Sequence, residues 1–177
     1  KKMSMNTKAV LLSHIQGCNA LSENLISELK KRNIDVIEDV CESHGATHNG
    51  KKLGSIGWMS NFSFYYAHHM STIEGGMLCT NDPIVYEQAR MLRSHGMLRE
   101  SQDDDLKKKI ISMNPELNSD FIFMYPAYNL RNTEIGGIWG ISQLERLDER
   151  VEKRTQNLKH LIEGIKSTID QTNYRSE

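Results

Sequence analysis

Three short stretches of this chain carry residue types that could do chemistry. The first is Ile34–Glu38, a run of strand-like residues that ends in two acids, Glu38 and Asp39, with Glu42 three residues further on. A carboxylate at a strand end is costly to bury unless it meets a cation or strong donors. It therefore serves either as a turn or helix cap or as the partner of a protonated ring nitrogen. The second stretch runs Phe62-Ser63-Phe64-Tyr65-Tyr66-Ala67-His68-His69 and is followed by Glu74-Gly75-Gly76. Ser63 interrupts an aromatic run, and a histidine pair stands just past it. Imidazole titrates near neutrality and can move protons at physiological pH; a loop histidine that merely satisfies its own hydrogen bonds is the competing reading. The third stretch is Tyr128-Asn129-Leu130-Arg131, ahead of Thr133. Asparagine with arginine suits a phosphate or carboxylate, or simply a loop that caps the next helix.

The elements that must position these residues follow from pattern. Lys8–Ser13 is a short apolar run with strand character. Ser22 can cap a helix whose Leu25, Ile26 and Leu29 share a face, running to about Arg32. Ile34–Glu38 is the second strand. Strand, helix and strand within about thirty residues is the spacing of a right-handed crossover, and in open α/β sheets ligands sit beyond the carboxyl ends of strands. Gly45–Gly57 reads as a hairpin or tight loop. Asn61–Tyr65 and Gly76–Thr80 read as strands. Asp82 and Pro83 open a helix that runs to about Ser94. The polar stretch Glu100–Asp120 is expected to be an exposed excursion. Thr133 opens a long helix with Ile135, Ile138, Ile141, Leu144 and Leu147 at near-helical spacing, and the charged remainder to about Asp170 is helical.

Composition narrows the function. The 177 residues carry 22 Lys+Arg against 23 Asp+Glu, a net charge of −1. That balance provides no field for holding a polyanion, so nucleic acid and polybasic membrane binding are not expected. No run approaches the roughly 18 apolar residues of a membrane span. The polar start has no secretory core. Cys18, Cys41 and Cys79 are odd in number and lack a CxxC pair, so neither a disulfide framework nor a zinc site is expected, and a reducing cytoplasm is. Adjacent histidines such as His68 and His69 point apart, and no HxxxH spacing occurs, so no metal is expected. The apolar content, 38%, is modest. Some segments must be solvated loops, or some surface must meet a partner.

Taken together, Ile37-Glu38-Asp39 with Gly45, then FSFYYAHH…EGGMLCTND, LRSHG and YNLR…QLERLDERVEKR resemble the DegT/StrS-type sugar aminotransferases, which are fold-type-I enzymes dependent on pyridoxal phosphate (PLP). The resemblance spans roughly residues 8–160. It implies an α/β three-layer αβα domain with a mostly parallel sheet. Residues 1–150 would be part of the PLP-binding large domain, and residues 151–177 the start of the connecting helix. It further implies that Asp39 pairs with the pyridine nitrogen and that Glu42 lies against the ring. Ser63 would bond the cofactor phosphate. Asn129 would reach the phosphate of the neighbouring subunit's cofactor, with Arg131 close by, so a homodimer with a shared active site is implied.

The resemblance departs from the family at His68. Most members have a lysine there that bonds the cofactor aldehyde covalently. An imidazole cannot form that bond, yet it can move a proton. The change is similar to that of the nucleotide-sugar 3-dehydratases, which make deoxysugars for bacterial surface polysaccharide. With no cysteine after Cys79, the cluster-free subgroup is the better match; its members regenerate pyridoxamine phosphate (PMP) with L-glutamate. His95 and Arg99, in and after LRSHG, would then bind substrate or the amino-acid carboxylate. A DegT/StrS-type nucleotide-sugar aminotransferase and a non-catalytic dimerising paralogue are the other readings. The chain is expected to be the middle of a longer enzyme, and to bind PLP weakly or not at all by itself.

Overall fold

The computed structural model describes residues 3–173. Strand β1 (Ala9–Ser13) leads through helix α1 (Glu23–Lys31) to β2 (Asp35–Asp39). The expected cap is present: Ser22 Oγ accepts from the Leu25 N–H at 3.2 Å, which satisfies one of the free amides of the first turn. A two-residue hairpin follows, β3 (Thr47–His48) with β4 (Lys51–Lys52). Next come β5 (Met59–Ser63), β6 (Gly76–Thr80) and helix α2 (Pro83–Arg93), which Asp82 caps through the Ile84 and Val85 amides. Helices α3 (Asp104–Met113), α4 (Glu134–Leu144) and α5 (Leu147–Asn173) complete the described chain.

The main sheet runs β1-β2-β5-β6. Its first two pairings are parallel and the last is antiparallel. The fold is thus α/β with a mixed, mostly parallel sheet. Three features differ from the sequence expectation. β5 lies two residues earlier than the aromatic run suggested. The polar excursion after Glu100 contains α3, which forms because Asp103 accepts from the Leu106 N–H at 2.9 Å and two further acids occupy its first turn, where they oppose the helix dipole favourably. The long final helix is two helices, and the division expected at residue 150 falls inside α5.

Leu21, Val40 and Leu53 form the centre of the core, with Leu12, Ile26, Val36, Ala46, Ile56 and Phe62 packed around them. A buried polar knot joins this core to the end of the sheet. Glu38 is wholly buried. Its carboxylate accepts from the backbone N–H groups of Gly54 (2.8 Å), Ile56 (2.8 Å) and Gly57 (2.6 Å). His14, also buried, receives the Ala20 N–H on Nδ1 at 3.1 Å. Its proton is therefore on Nε2, which donates to Glu38 at 3.3 Å. The loop can wrap this closely only with glycine at its two ends. Gly54 has φ +89°, and a Cβ on Gly57 would stand 2.5 Å from the Val36 carbonyl oxygen. Glu38→Ala would strand three backbone donors and His14 at once. The expected cost is about 3 kcal/mol, read as a lower denaturant midpoint with an unchanged slope.

Helix α4 does not bury the residues whose spacing announced it. Ile135 and Ile138 are 78% and 72% exposed. Its inward side is glycine: Cβ atoms on Gly136 and Gly140 would lie 3.8 and 3.2 Å from Thr72. That fit lets the loop after β5, which carries His68, pack against α4. Arg150 of α5 ties the same loop down, donating to the His69 carbonyl (3.4 Å) and to Gln143 Oε1 (2.9 Å).

Candidate functional site

The carboxyl ends of β1 and β2 and the middle of β5 converge on one side chain. Ser13 of β1 stands in register with Asp39 of β2, and Asp39 in register with Asn61 of β5. All three side chains meet. Ser13 Oγ donates to Asp39 Oδ2 at 3.3 Å, and Asn61 Nδ2 donates to Asp39 Oδ1 at 3.1 Å. The Cys41 N–H adds a third donor at 3.2 Å. Partial burial pushes the carboxyl up, but the bonds from Cys41, Asn61 and Ser13 outweigh it and hold Asp39 below its usual range. Burial, with the adjacent carboxylate, pushes the Cys41 thiol up to about 11. It stays protonated at neutral pH and can donate to Asp39.

A cavity of about 320 Å³ opens over this group, lined by Ser13, His14, Ile15, Asp39, Cys41, Glu42 and His68. The structure therefore brings together Asp39, Glu42 and His68. His68 sits in the turn just after the aromatic run, its N–H donating to the Tyr65 carbonyl at 3.0 Å and its ring 5.8 Å from that of Tyr65. A carboxylate kept ionised and an imidazole in one cavity can hold a cationic ring N–H and move a proton beside it. Among the described residues no lysine lines this cavity.

The other expected residues lie outside it. Ser63, at the end of β5, accepts the Tyr65 N–H at 3.3 Å. Asn129 and Arg131 form their own group: Arg131 Nε donates to Asn129 Oδ1 at 3.0 Å. Asn129 bridges to Ser94, and the His95 N–H donates to the Tyr128 carbonyl at 2.8 Å. His95, with φ +60°, lines a shallow depression beside Phe123–Ala127. The Arg99 guanidinium lies 5.9 Å from the Phe121 ring. Among the described residues no group of three or more His, Cys, Asp or Glu could hold a metal, the three cysteines are free, and no helix is long and apolar enough to cross a membrane.

Sequence reasoning missed Ser13 and Asn61, which only sheet register brings to Asp39, and Cys41, two residues after it. It also missed His44. This ring is 4% exposed, and neither nitrogen has a partner among the described residues. It stacks on Phe62 at 5.8 Å and lies 6.3 Å from the His68 ring and 5.8 Å from the His69 ring. Burial, then His69 and His68, pull it down from 6.5 to about 4. The unfolded chain takes up this proton near pH 6.5, while the folded chain resists until about 4. Stability carried by neutral His44 is therefore complete above that window and lost as pH falls through it, on the order of 2–3 kcal/mol. His44→Phe should flatten this part of the pH dependence, measured as urea midpoints at pH 7 and pH 5; an unchanged slope would place the loss elsewhere.

Comparison with known proteins gives one family. A model described as the DegT/DnrJ/EryC1/StrS aminotransferase family matches residues 1–175. The chain is similar to GDP-4-keto-6-deoxy-D-mannose 3-dehydratase of Escherichia coli O55:H7, with 34% identity over 91% of this chain and 41% of the relative. It is similar also to GDP-perosamine synthase of Caulobacter vibrioides, 34% identical over 84% of this chain and 35% of the relative. Among solved structures, the E. coli 3-dehydratase with bound hydrated PLP superposes with a TM-score of 0.78, at 33% identity, over 93% of this chain and 42% of that one. A 3-dehydratase with a trapped PLP-glutamate geminal diamine superposes at 0.68, with 33% identity, over 82% of this chain and 38% of that one. The chain thus spans about two fifths of the length of these dehydratases.

Proposed function

The chain belongs to the DegT/DnrJ/EryC1/StrS aminotransferase family, and from that premise we propose that its protein catalyses PLP- or PMP-dependent 3-dehydration of a 4-keto-6-deoxy nucleotide sugar for surface polysaccharide. The observation that carries this reading is the placement of His68 in one cavity with Asp39, with no lysine in its lining among the described residues. The residues present fit the cofactor's ring end. A carboxylate held ionised by three neighbours can accept a pyridinium N–H. Ser63, two residues beyond Asn61 on the same strand, offers a hydroxyl for the phosphate.

When bound, the cofactor supplies an electron sink that acidifies carbon-bound hydrogen next to its amine. Asp39 keeps the ring nitrogen protonated and so keeps that sink effective. His68 removes the proton and returns one to the departing C3 hydroxyl of the sugar. An imidazole can do both because its ring nitrogen can accept a proton and hand it on. The products are a 3-deoxy-4-keto sugar, 2-oxoglutarate and ammonia: L-glutamate is the amino donor, and its oxidation to the 2-oxo acid supplies the two electrons that replace the C3 hydroxyl by hydrogen. His95 and Arg99 bind substrate or the glutamate carboxylate. Asn129 and Arg131 serve the neighbouring subunit's cofactor in a homodimer; their separation from the Asp39 cavity and the outward apolar side of α4 support that arrangement. Residues 1–150 are assigned to part of the PLP-binding large domain and those from 151 onward to the connecting segment, α5 crossing that boundary; residues 174–177 lie outside the described residues. The enzyme acts in the cytoplasm.

A second reading has its own support: similarity to GDP-perosamine synthase favours an aminotransferase outcome. One assay separates the two. The protein at its full encoded length is incubated with PLP, L-glutamate and a 4-keto-6-deoxy nucleotide sugar. Ammonia and a 3-deoxy product are expected; a 4-amino sugar without ammonia would identify the aminotransferase.

A further inference from the structure

The resemblance places Glu42 against the cofactor ring, but its carboxylate is bonded elsewhere. Glu42 Oε2 accepts the Gln16 N–H at 2.8 Å. Gln16 stands in the tight turn Ile15–Gly17 with φ +54° and ψ 28°, and Gly17 follows with φ +86°. Left-handed backbone is unfavourable for any residue with a Cβ, so this turn needs an external hold at Gln16. The flanks are held separately: the His14 N–H donates to the Asp39 carbonyl and the Cys18 N–H to the Ile15 carbonyl, both at 3.0 Å, and His14 Nδ1 accepts the Ala20 N–H at 3.1 Å. Ile15 is 61% exposed and lines the cavity of Asp39 and His68. An isoleucine at the mouth of an otherwise polar cavity is an apolar wall suited to the flat face of an aromatic ring.

We infer that Glu42 is a positioning residue whose carboxylate fixes the Ile15–Gly17 turn, so that Ile15 forms the apolar wall for a pyridine ring held by Asp39. The inference rests on the reading proposed above for the ligand, and it moves Glu42 from direct contact to action through Gln16.

The test uses Glu42→Gln, Glu42→Ala and Ile15→Ala in the protein at its full encoded length. Two quantities are read: amide exchange of Gln16 without cofactor, and PLP affinity by equilibrium dialysis. Glu42→Gln keeps an oxygen that can accept the Gln16 N–H, so protection and affinity should stay within about threefold of the parent. Glu42→Ala should lose about tenfold in both, the size of a charge-assisted bond. Ile15→Ala should weaken PLP comparably and leave Gln16 protection intact. Glu42→Gln as damaging to PLP affinity as Glu42→Ala, with Gln16 protection unmoved, would make Glu42 a direct ring contact and overturn the inference. Full PLP affinity in Ile15→Ala would overturn the wall. Should the parent itself bind no PLP, the reading of the ligand fails. Gln16 exchange in Glu42→Ala then still decides the latch: a tenfold loss supports it and no change overturns it.

Discussion

Asp39→Asn is expected to weaken PLP binding roughly 10- to 100-fold, the worth of one hydrogen bond to a charged group, and to slow turnover further. The reason lies in the donors around the acid. Ser13, Cys41 and Asn61 keep it ionised, and that charge is what can hold a proton on a pyridine nitrogen. An amide of the same shape would present either a neutral oxygen or an NH2 group to that nitrogen. The ring would then lose its proton and withdraw electrons poorly. The fold should be untouched, because the side chain is only partly buried and its size is conserved. PLP titration and turnover, measured beside a denaturation curve, separate the two effects. Asn binding PLP as tightly as Asp would remove Asp39 from the site.

His68→Asn is expected to lower dehydration roughly 100- to 10,000-fold, the range spanned by a positioned general acid–base, while PLP affinity changes little. Asparagine can occupy the place and keep a hydrogen bond, but it has no titration near neutrality. The loss should therefore fall on kcat rather than on cofactor binding. Full turnover in His68→Asn would give the proton transfer to another group. His69 is the nearest competitor in sequence, but it is a poor one. Its Nδ1 is buried without a partner among the described residues, it lies outside the cavity lining, and burial together with Arg154 and His68 pulls it below its usual value.

Much of the framework was legible in the sequence because its signals are local. Ser22, Asp82 with Pro83, and Thr133 announced their helices through caps that the structure contains. The strand ending in Asp39 and the turn carrying His68 were both readable from residue types at short spacing. β5 was displaced because Phe62–Tyr66 looks like strand throughout, whereas the β2 pairing ends at Asn61 and the β6 pairing at Ser63. α3 was hidden because a polar helix and a polar loop share a composition, and only the Asp103 cap distinguishes them. The donors to Asp39 were illegible for a different reason. Ser13 and Asn61 lie 26 and 22 residues away in the chain, and sheet register alone brings them together. His44 left no signal, since a single histidine before a glycine says nothing of how deeply it will be buried.

In the proposed reading an imidazole occupies the place where a lysine would bond the cofactor. Borohydride reduction of the PLP-loaded protein, followed by mass measurement of the denatured chain, tests this most directly. An unmodified chain, with all of the cofactor released, is expected. A chain heavier by one reduced cofactor, attached to a lysine, would contradict it.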